Sequence, residues 1–136
     1  MTLNDLGFKV LGEKKGFTQS HQAVVNVLDY GDGGKIEADL EKANIIVNRQ
    51  LIQGDIKAKR HYMHPGGIRL GSSEVTRLGM KESEMQEIAS LIKQVVIDKK
   101  DAKEVAGRIM EFRKNYQKTE YCFDNKLGAY EYVKLR

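Results

Sequence analysis

The stretch GGIRLGSSEVTRLGMKESEMQEIASLIKQVV, residues 66–96, contains the change of period that decides the fold class. Ile68 and Leu70 alternate with Arg69 between glycines at 67 and 71, the two-residue repeat of a short strand. Beyond residue 80, Met85, Ile88, Leu91, Ile92, Val95 and Val96 recur at helical spacing, with Glu82, Glu84 and Glu87 towards the positive N-terminal end. A strand therefore gives way to a long amphipathic helix. The next helix begins at Asp101, whose side chain can cap the free amides while Glu104 reaches back, and its apolar stripe is Val105, Ile109, Phe112 and Tyr116. A link as short as Ile97 to Asp101 favours antiparallel neighbours, so the two helices are expected side by side across one face of a sheet.

Working back towards the N-terminus supplies the rest of that sheet. Phe8 to Leu11, between Gly7 and Gly12, reads as a strand, and Gln22 to Leu28 is rich enough in valine to be a well-buried one. The cluster Tyr30 to Gly34 is a turn, after which Ile36, Leu40 and Ala43 share one face of a helix ending near Asn44. Ile45, Ile46 and Val47 read as a third strand and Ile68 to Leu70 as a fourth. The expected fold is α+β, in two layers: a small antiparallel sheet of three to four strands covered on one face by helices. Each large side chain buried between the layers contributes on the order of 1.5 to 3 kcal/mol, so a polar change at Ile88 or Ile109 is expected to cost more than any surface charge.

Composition narrows the function classes. The chain has 136 residues, 40% hydrophobic and 31% charged, the balance of one globular domain with a continuous core. No window approaches 18 uninterrupted apolar residues, and Asp5, Lys9 and Glu13 break up the N-terminal stretch where a secretory signal would need a hydrophobic block. A cytoplasmic protein without a membrane partner is expected. Cys122 is the single cysteine, which excludes an intrachain disulfide and cysteine-pair zinc patterns; flanked by Tyr121 and Phe123, it reads as a small hydrophobe. The net charge of +4 is spread along the chain among acidic residues and selects no partner. The densest basic patch, Lys57, Lys59, Arg60 and His61 beside Tyr62, could track a phosphate backbone, but no nucleic-acid-binding motif accompanies it, and nucleic acid is not an expected partner.

Among residues able to carry chemistry, Arg69 stands alone as a charge on a glycine-bordered strand. With Ile68 and Leu70 facing the core it points to the opposite face, where glycines would admit a ligand and the guanidinium could fork onto a carboxylate or phosphate. Spacing alone favours an ordinary surface ion pair, since most arginines are no more than that. His61 and His64 have the spacing H-x-x-H, but on a loop ending in Pro65 with no third ligand, so no metal site is expected. His21 could serve as a general base or simply bond to backbone, and no nucleophile or acid accompanies it by spacing. The sequence has no G-x-G-x-x-G, G-x-x-x-x-G-K-[ST] or G-x-S-x-G, which removes the main support for dinucleotide, P-loop and α/β-hydrolase readings.

Around Arg69, G-G-I-R-L-G-S-S-E-V-T-R-L-G-M-K-E-S-E-M (Gly66 to Met85) resembles the C-terminal domain of serine hydroxymethyltransferase. G-F-T-Q-S-H-Q (Gly16 to Gln22), A-N-I-I-V-N-R-Q (Ala43 to Gln50) and F-R-K-N-Y-Q (Phe112 to Gln117) fall in that family's order, so the resemblance covers about residues 6 to 123. It implies a pyridoxal-phosphate enzyme of the aspartate-aminotransferase fold type that interconverts serine and glycine, passing a one-carbon unit to tetrahydrofolate or a related tetrahydropterin. By motif, Arg69 becomes the arginine that pairs with the substrate α-carboxylate, and Gln50 stands where many members carry an asparagine on the pterin side. Leu78 replaces the second arginine of the T-R-R-G form.

The family's cofactor lysine follows a histidine, and no His-Lys pair exists here: His21, His61 and His64 precede Gln22, Tyr62 and Pro65. The expectation is thus a small domain over residues 1–123 with a tail of unassigned role at 124–136, inactive alone. Its partner would be the large pyridoxal-phosphate domain, whether the chain is a fragment or separately encoded, and the full enzyme is expected to be a homodimer. The competing expectation is a stand-alone module of the same fold that binds an anion or a protein and catalyses nothing.

Overall fold

A computed structural model describes residues 2–120. Helix α1 (Thr2–Asp5) leads into strand β1 (Lys9–Val10), and a single 3-10 turn at Glu13–Lys15 precedes β2 (Gln22–Asn26). Helix α2 (Gly33–Lys42), β3 (Asn48–Gln50), β4 (Gly67–Gly71) and the short α3 (Ser73–Arg77) follow, and α4 (Glu82–Val96) and α5 (Ala102–Arg113) close the described chain. The strands form one sheet in the order β1-β2-β4-β3, every neighbouring pair antiparallel. This is the α+β two-layer arrangement expected from the sequence.

Register fixes what each face carries. Val25 lies opposite both Val10 and Ile68, and Ile68 lies opposite Arg49; Ala23 lies opposite Leu70. Val25 and Ile68 face the helices and join Ile36, Leu40, Val27, Ile92 and Val105 in the core. Helix α2 packs on β3 and β4, and α4 and α5 pack against α2 and against each other. The α4–α5 pair lies on the same face of the sheet as α2, its Ile92, Val105 and Ile109 sharing one core with Val25 and Ile68. Asp101 caps α5 by accepting from the amides of Lys103 (2.7 Å) and Glu104 (3.2 Å), and Arg108 of α5 reaches Gln94 and Glu87 of α4, in keeping with an antiparallel pair.

Two local expectations change. Ile45 to Val47 are not a strand: α2 ends through Asn44, which takes a left-handed φ of 63°, Ile46 is 79% exposed, and only Val47 enters the core. Pairing begins at Asn48, because the apolar run is used to return from the helix and the ladder is left to the polar residues after it. Tyr116 lies beyond the end of α5 and keeps contact with the helix through its ring, 5.2 Å from that of Phe112. Cys122, named in the sequence reading, lies outside the described residues.

Candidate functional site

Alternation along β4 places Arg69 on the face opposite Ile68 and Leu70. Val24 and Asn48 are its cross-strand neighbours, and one step along the ladder Gln50 and Asn26 flank Gly67. Arg69 and Gln50 thus share one face as a diagonal pair, a relation that puts side chains about 7–8 Å apart. None of Gln22, Val24, Asn26, Asn48, Gln50 or Arg69 is buried.

The electrostatics of this face are simple. No hydrogen bond or ion pair links the Arg69 side chain to any other described residue. No buried side-chain nitrogen or oxygen among them lacks a partner, so the unpaired guanidinium is in contact with solvent. Its cross-strand neighbours are neutral, which leaves the positive charge uncompensated. Lys9, on the same face opposite Asn26, is held by Asp29 at 2.7 Å, a contact that raises its pKa. Gln50 turns its amide nitrogen to the carbonyl of Leu51 at 3.0 Å.

The glycines beside Arg69 do something other than admit a ligand. A Cβ on Gly67 would lie 2.4 Å from Cγ2 of Ile52, and one on Gly66 would lie 2.7 Å from Oδ1 of Asp55. Both positions are bare so that the β3–β4 connection can close over them. Gly71, by contrast, faces open space. At the other end of α2, Gly33 donates to the carbonyl of Pro65 at 2.6 Å, and a Cβ there would strike the carbonyl of Gly67. The helix start and the entry to β4 are therefore locked together.

Two acidic residues that spacing did not reveal organise the edge strand. Glu37 of α2 accepts from the amide of Arg49 at 3.2 Å and from its guanidinium, fastening β3 to the helix. Asp55 is buried beneath the connection. Neither signals itself in the sequence, since one is an acid on an amphipathic helix and the other an acid in a turn. The histidines do not converge: Nδ1 of His61 accepts from the amide of Met63 at 3.2 Å, Nδ1 of His64 lies 3.3 Å from Asp32, and His21 is exposed. Among the described residues no group of three His, Cys, Asp or Glu side chains is placed to hold a metal ion. In the basic loop, Lys57, Lys59, His61 and Tyr62 are exposed, while Nε of Arg60 lies 3.6 Å from Asp55.

A large cavity lies elsewhere. It measures about 710 Å³, is lined by apolar side chains that include Leu70, Ile88, Ile92, Ile109 and Phe112, and opens on the helix side of the sheet. Arg69 and Gln50 do not line it, so the charged group and the large concavity belong to different faces.

Together these elements define a small α+β domain that presents, among the described residues, an uncompensated guanidinium on one face of its sheet. The family model for serine hydroxymethyltransferase matches residues 1–92. A serine hydroxymethyltransferase of Nitrosopumilus maritimus is 78% identical over 134 residues, covering 98% of this chain and 30% of the relative. That of Korarchaeum cryptofilum is 52% identical over 130 residues, covering 96% of this chain and 30% of the relative. Among solved structures, L-threonine transaldolase from Pseudomonas fluorescens superposes with a TM-score of 0.73 at 32% identity, over 93% of this chain and 28% of that one. The chain belongs to the serine hydroxymethyltransferase family, a family of pyridoxal-phosphate enzymes. It spans about 30% of the length of the curated relatives it matches. No helix among the described residues is long and apolar enough to cross a membrane.

Proposed function

We propose that this chain is the C-terminal small domain of a cytoplasmic serine hydroxymethyltransferase, with the domain at residues 1–123 and a tail at 124–136, and that it contributes the arginine that binds the substrate carboxylate. The observation that carries the reading is Arg69 itself, unpaired among the described residues and directed away from the core on a face of neutral side chains. A guanidinium with no internal acid to satisfy is free to take the α-carboxylate of serine or glycine through two parallel hydrogen bonds. Held that way, the amino acid has a fixed orientation at its α-carbon. Gln50 lies on the side proposed for the tetrahydropterin, tetrahydrofolate or a relative of it.

The chain's own residues fit the substrate better than the cofactor. The described strands put one lysine on this face, Lys9, and Asp29 holds it. Pyridoxal phosphate, when bound to the whole enzyme, supplies the electron sink; its attachment is assigned to the large domain, which also excludes water from the finished site. Alone, the chain is inactive, and the complete enzyme is proposed to be a homodimer.

The test is reconstitution. The chain is mixed with a large domain that carries pyridoxal phosphate, and retro-aldol cleavage of serine is followed with wild-type chain, Arg69→Ala and Arg69→Lys. Two hydrogen bonds between ions are worth about 3 to 6 kcal/mol together, so alanine lowers kcat/KM by about two to four powers of ten. Lysine keeps the charge without the fork and falls between the two. Equal activity in all three removes the assigned role.

A further inference from the structure

Strand β3 is three residues long and, among the described residues, lies at the edge of the sheet with β4 as its single strand neighbour. Whatever follows it must hold its C-terminal end in place. Asp55, which leaves 2% of its surface to solvent, provides this through one oxygen: Oδ2 accepts from the amide of Ile52 at 2.9 Å and from the amide of Gly66 at 2.8 Å. The two ends of the β3–β4 connection are thereby tied to the same atom. Its second oxygen faces Nε of Arg60 at 3.6 Å. A buried carboxylate is costly unless it is hydrogen-bonded and paired, and here two amides bond one oxygen while the Arg60 guanidinium stands as the ion-pair partner of the other.

The consequence reaches the open face. With Ile52 fixed, its side chain lies on Gly67, close enough that a Cβ on that glycine would meet it at 2.4 Å. Gly67 pairs with Gln50 and stands two residues before Arg69. We infer that Asp55 is a positioning residue: acting through Ile52 and Gly66, it sets the place of Gln50 relative to Arg69. This rests on the proposed reading of that face as the substrate side. Arg69 is also held by five cross-strand pairs between β2 and β4, whereas Gln50 depends on the short edge strand, so Gln50 responds more strongly to loss of Asp55.

The experiment uses the 136-residue chain labelled with ¹⁵N. In Asp55→Ala, the amides of Ile52 and Gly66 exchange at least about tenfold faster, while those of Val25 and Ile68 stay within about twofold. The side-chain amide of Gln50 shifts, and Nε of Arg69 shifts less. Asp55→Asn keeps an acceptor for both amides and restores all of these signals. Should Asp55→Ala fail to fold, Ile52→Ala serves instead, because it retains the hydrogen bonds of Asp55 and removes only the side chain over Gly67; it moves the Gln50 signal in the same way. Unmoved Gln50 and Arg69 resonances in the folded variant overturn the inference and leave Asp55 with a local structural role only. The outcome is independent of the functional reading: a reconstituted enzyme indifferent to Arg69→Ala would remove that reading and leave the resonance shifts standing, and an Arg69-dependent enzyme with unmoved resonances would remove only the role of Asp55.

Discussion

Two glycines on one strand make opposite predictions. Gly67 and Gly71 both belong to β4, both have their missing side chains on the face of Arg69, and neither has the positive φ that would strain an alanine. They differ in what a methyl group would meet. At Gly67 it would lie 2.4 Å from Cγ2 of Ile52, 3.0 Å from the carbonyl oxygen of Val25 and 3.1 Å from that of Gln50; at Gly71 nothing lies within 4 Å. The isoleucine can shift by turning its side chain, but the two carbonyls belong to the ladder on both sides. Overpacking of this kind costs about 1 to 3 kcal/mol, and the backbone contacts put Gly67→Ala towards the upper end. Gly71→Ala restricts the unfolded chain without a clash and stabilises by about 0.4 to 1 kcal/mol. For a chain of this size 1 kcal/mol moves the melting temperature by roughly 3 to 5 °C. Thermal and urea denaturation of the two variants therefore give shifts of opposite sign, Gly67→Ala falling by about 6 °C or more and Gly71→Ala rising by about 2 °C. Shifts of the same sign, or a neutral Gly67→Ala, would refute the assignment of Gly67 to the closing of the β3–β4 connection.

The other predictions concern the helical layer. Asp32 caps α2 by accepting from the amide of Lys35 at 3.0 Å, and that hydrogen bond, with His64 adding to it, holds the carboxyl below its ordinary value of 3.8. Because the folded state binds the proton more weakly than the unfolded state, the stabilisation is complete above about pH 4 and disappears as pH falls through the lowered folded value. Asp32→Ala costs about 1 kcal/mol at neutral pH, Asp32→Asn costs little, and urea midpoints measured from pH 7 down to pH 2 show the wild-type advantage over Asp32→Ala shrinking at the acid end. On α5, Ile109 is 6% exposed, whereas Ile88 on α4 is half-buried along the rim of the large cavity. Ile109→Asn is expected to lower stability by about 3 kcal/mol and Ile88→Asn by roughly half of that, measured as free energies of unfolding in urea.

What the sequence made legible follows from which interactions are local. The α4 stripe, the Asp101 side-chain cap and the alternation about Arg69 depend on residues within a turn or a strand of one another and stand in the structure as read, whereas Glu104 does not reach back to complete a capping box. Ile45 to Val47 misled because β-branched apolar residues suit a strand and a core-entering connection equally, and only the pairing partner separates the two cases. Asp55 was beyond reach for the same reason. Its partners Ile52 and Gly66 become neighbours only after the connection folds back, and a turn acid followed by lysines looks like any solvated loop. Gly66 and Gly67 read in the sequence as bare backbone, but whether a ligand or a side chain fills such a space is a tertiary fact.

The competing idea, a free-standing anion-binding module, can be weighed by what an open face delivers. A guanidinium in contact with water gains about 0 to 1 kcal/mol from one carboxylate, because solvent screens the pair and both ions give up good hydration. That is less than the roughly 4 kcal/mol needed for even millimolar affinity. The described face adds neutral amides and a half-buried valine to Arg69, and the large cavity that could desolvate a ligand opens on the opposite side of the sheet. The same ion pair is worth several times more once a second surface removes the water, since charge-assisted hydrogen bonds then contribute about 1.5 to 3 kcal/mol each. Titration of the isolated chain with serine or glycine is therefore expected to show no saturation below about 10 mM. Saturable binding in the micromolar range would mean that this face completes its own site, and the dependence on a large domain would have to be abandoned.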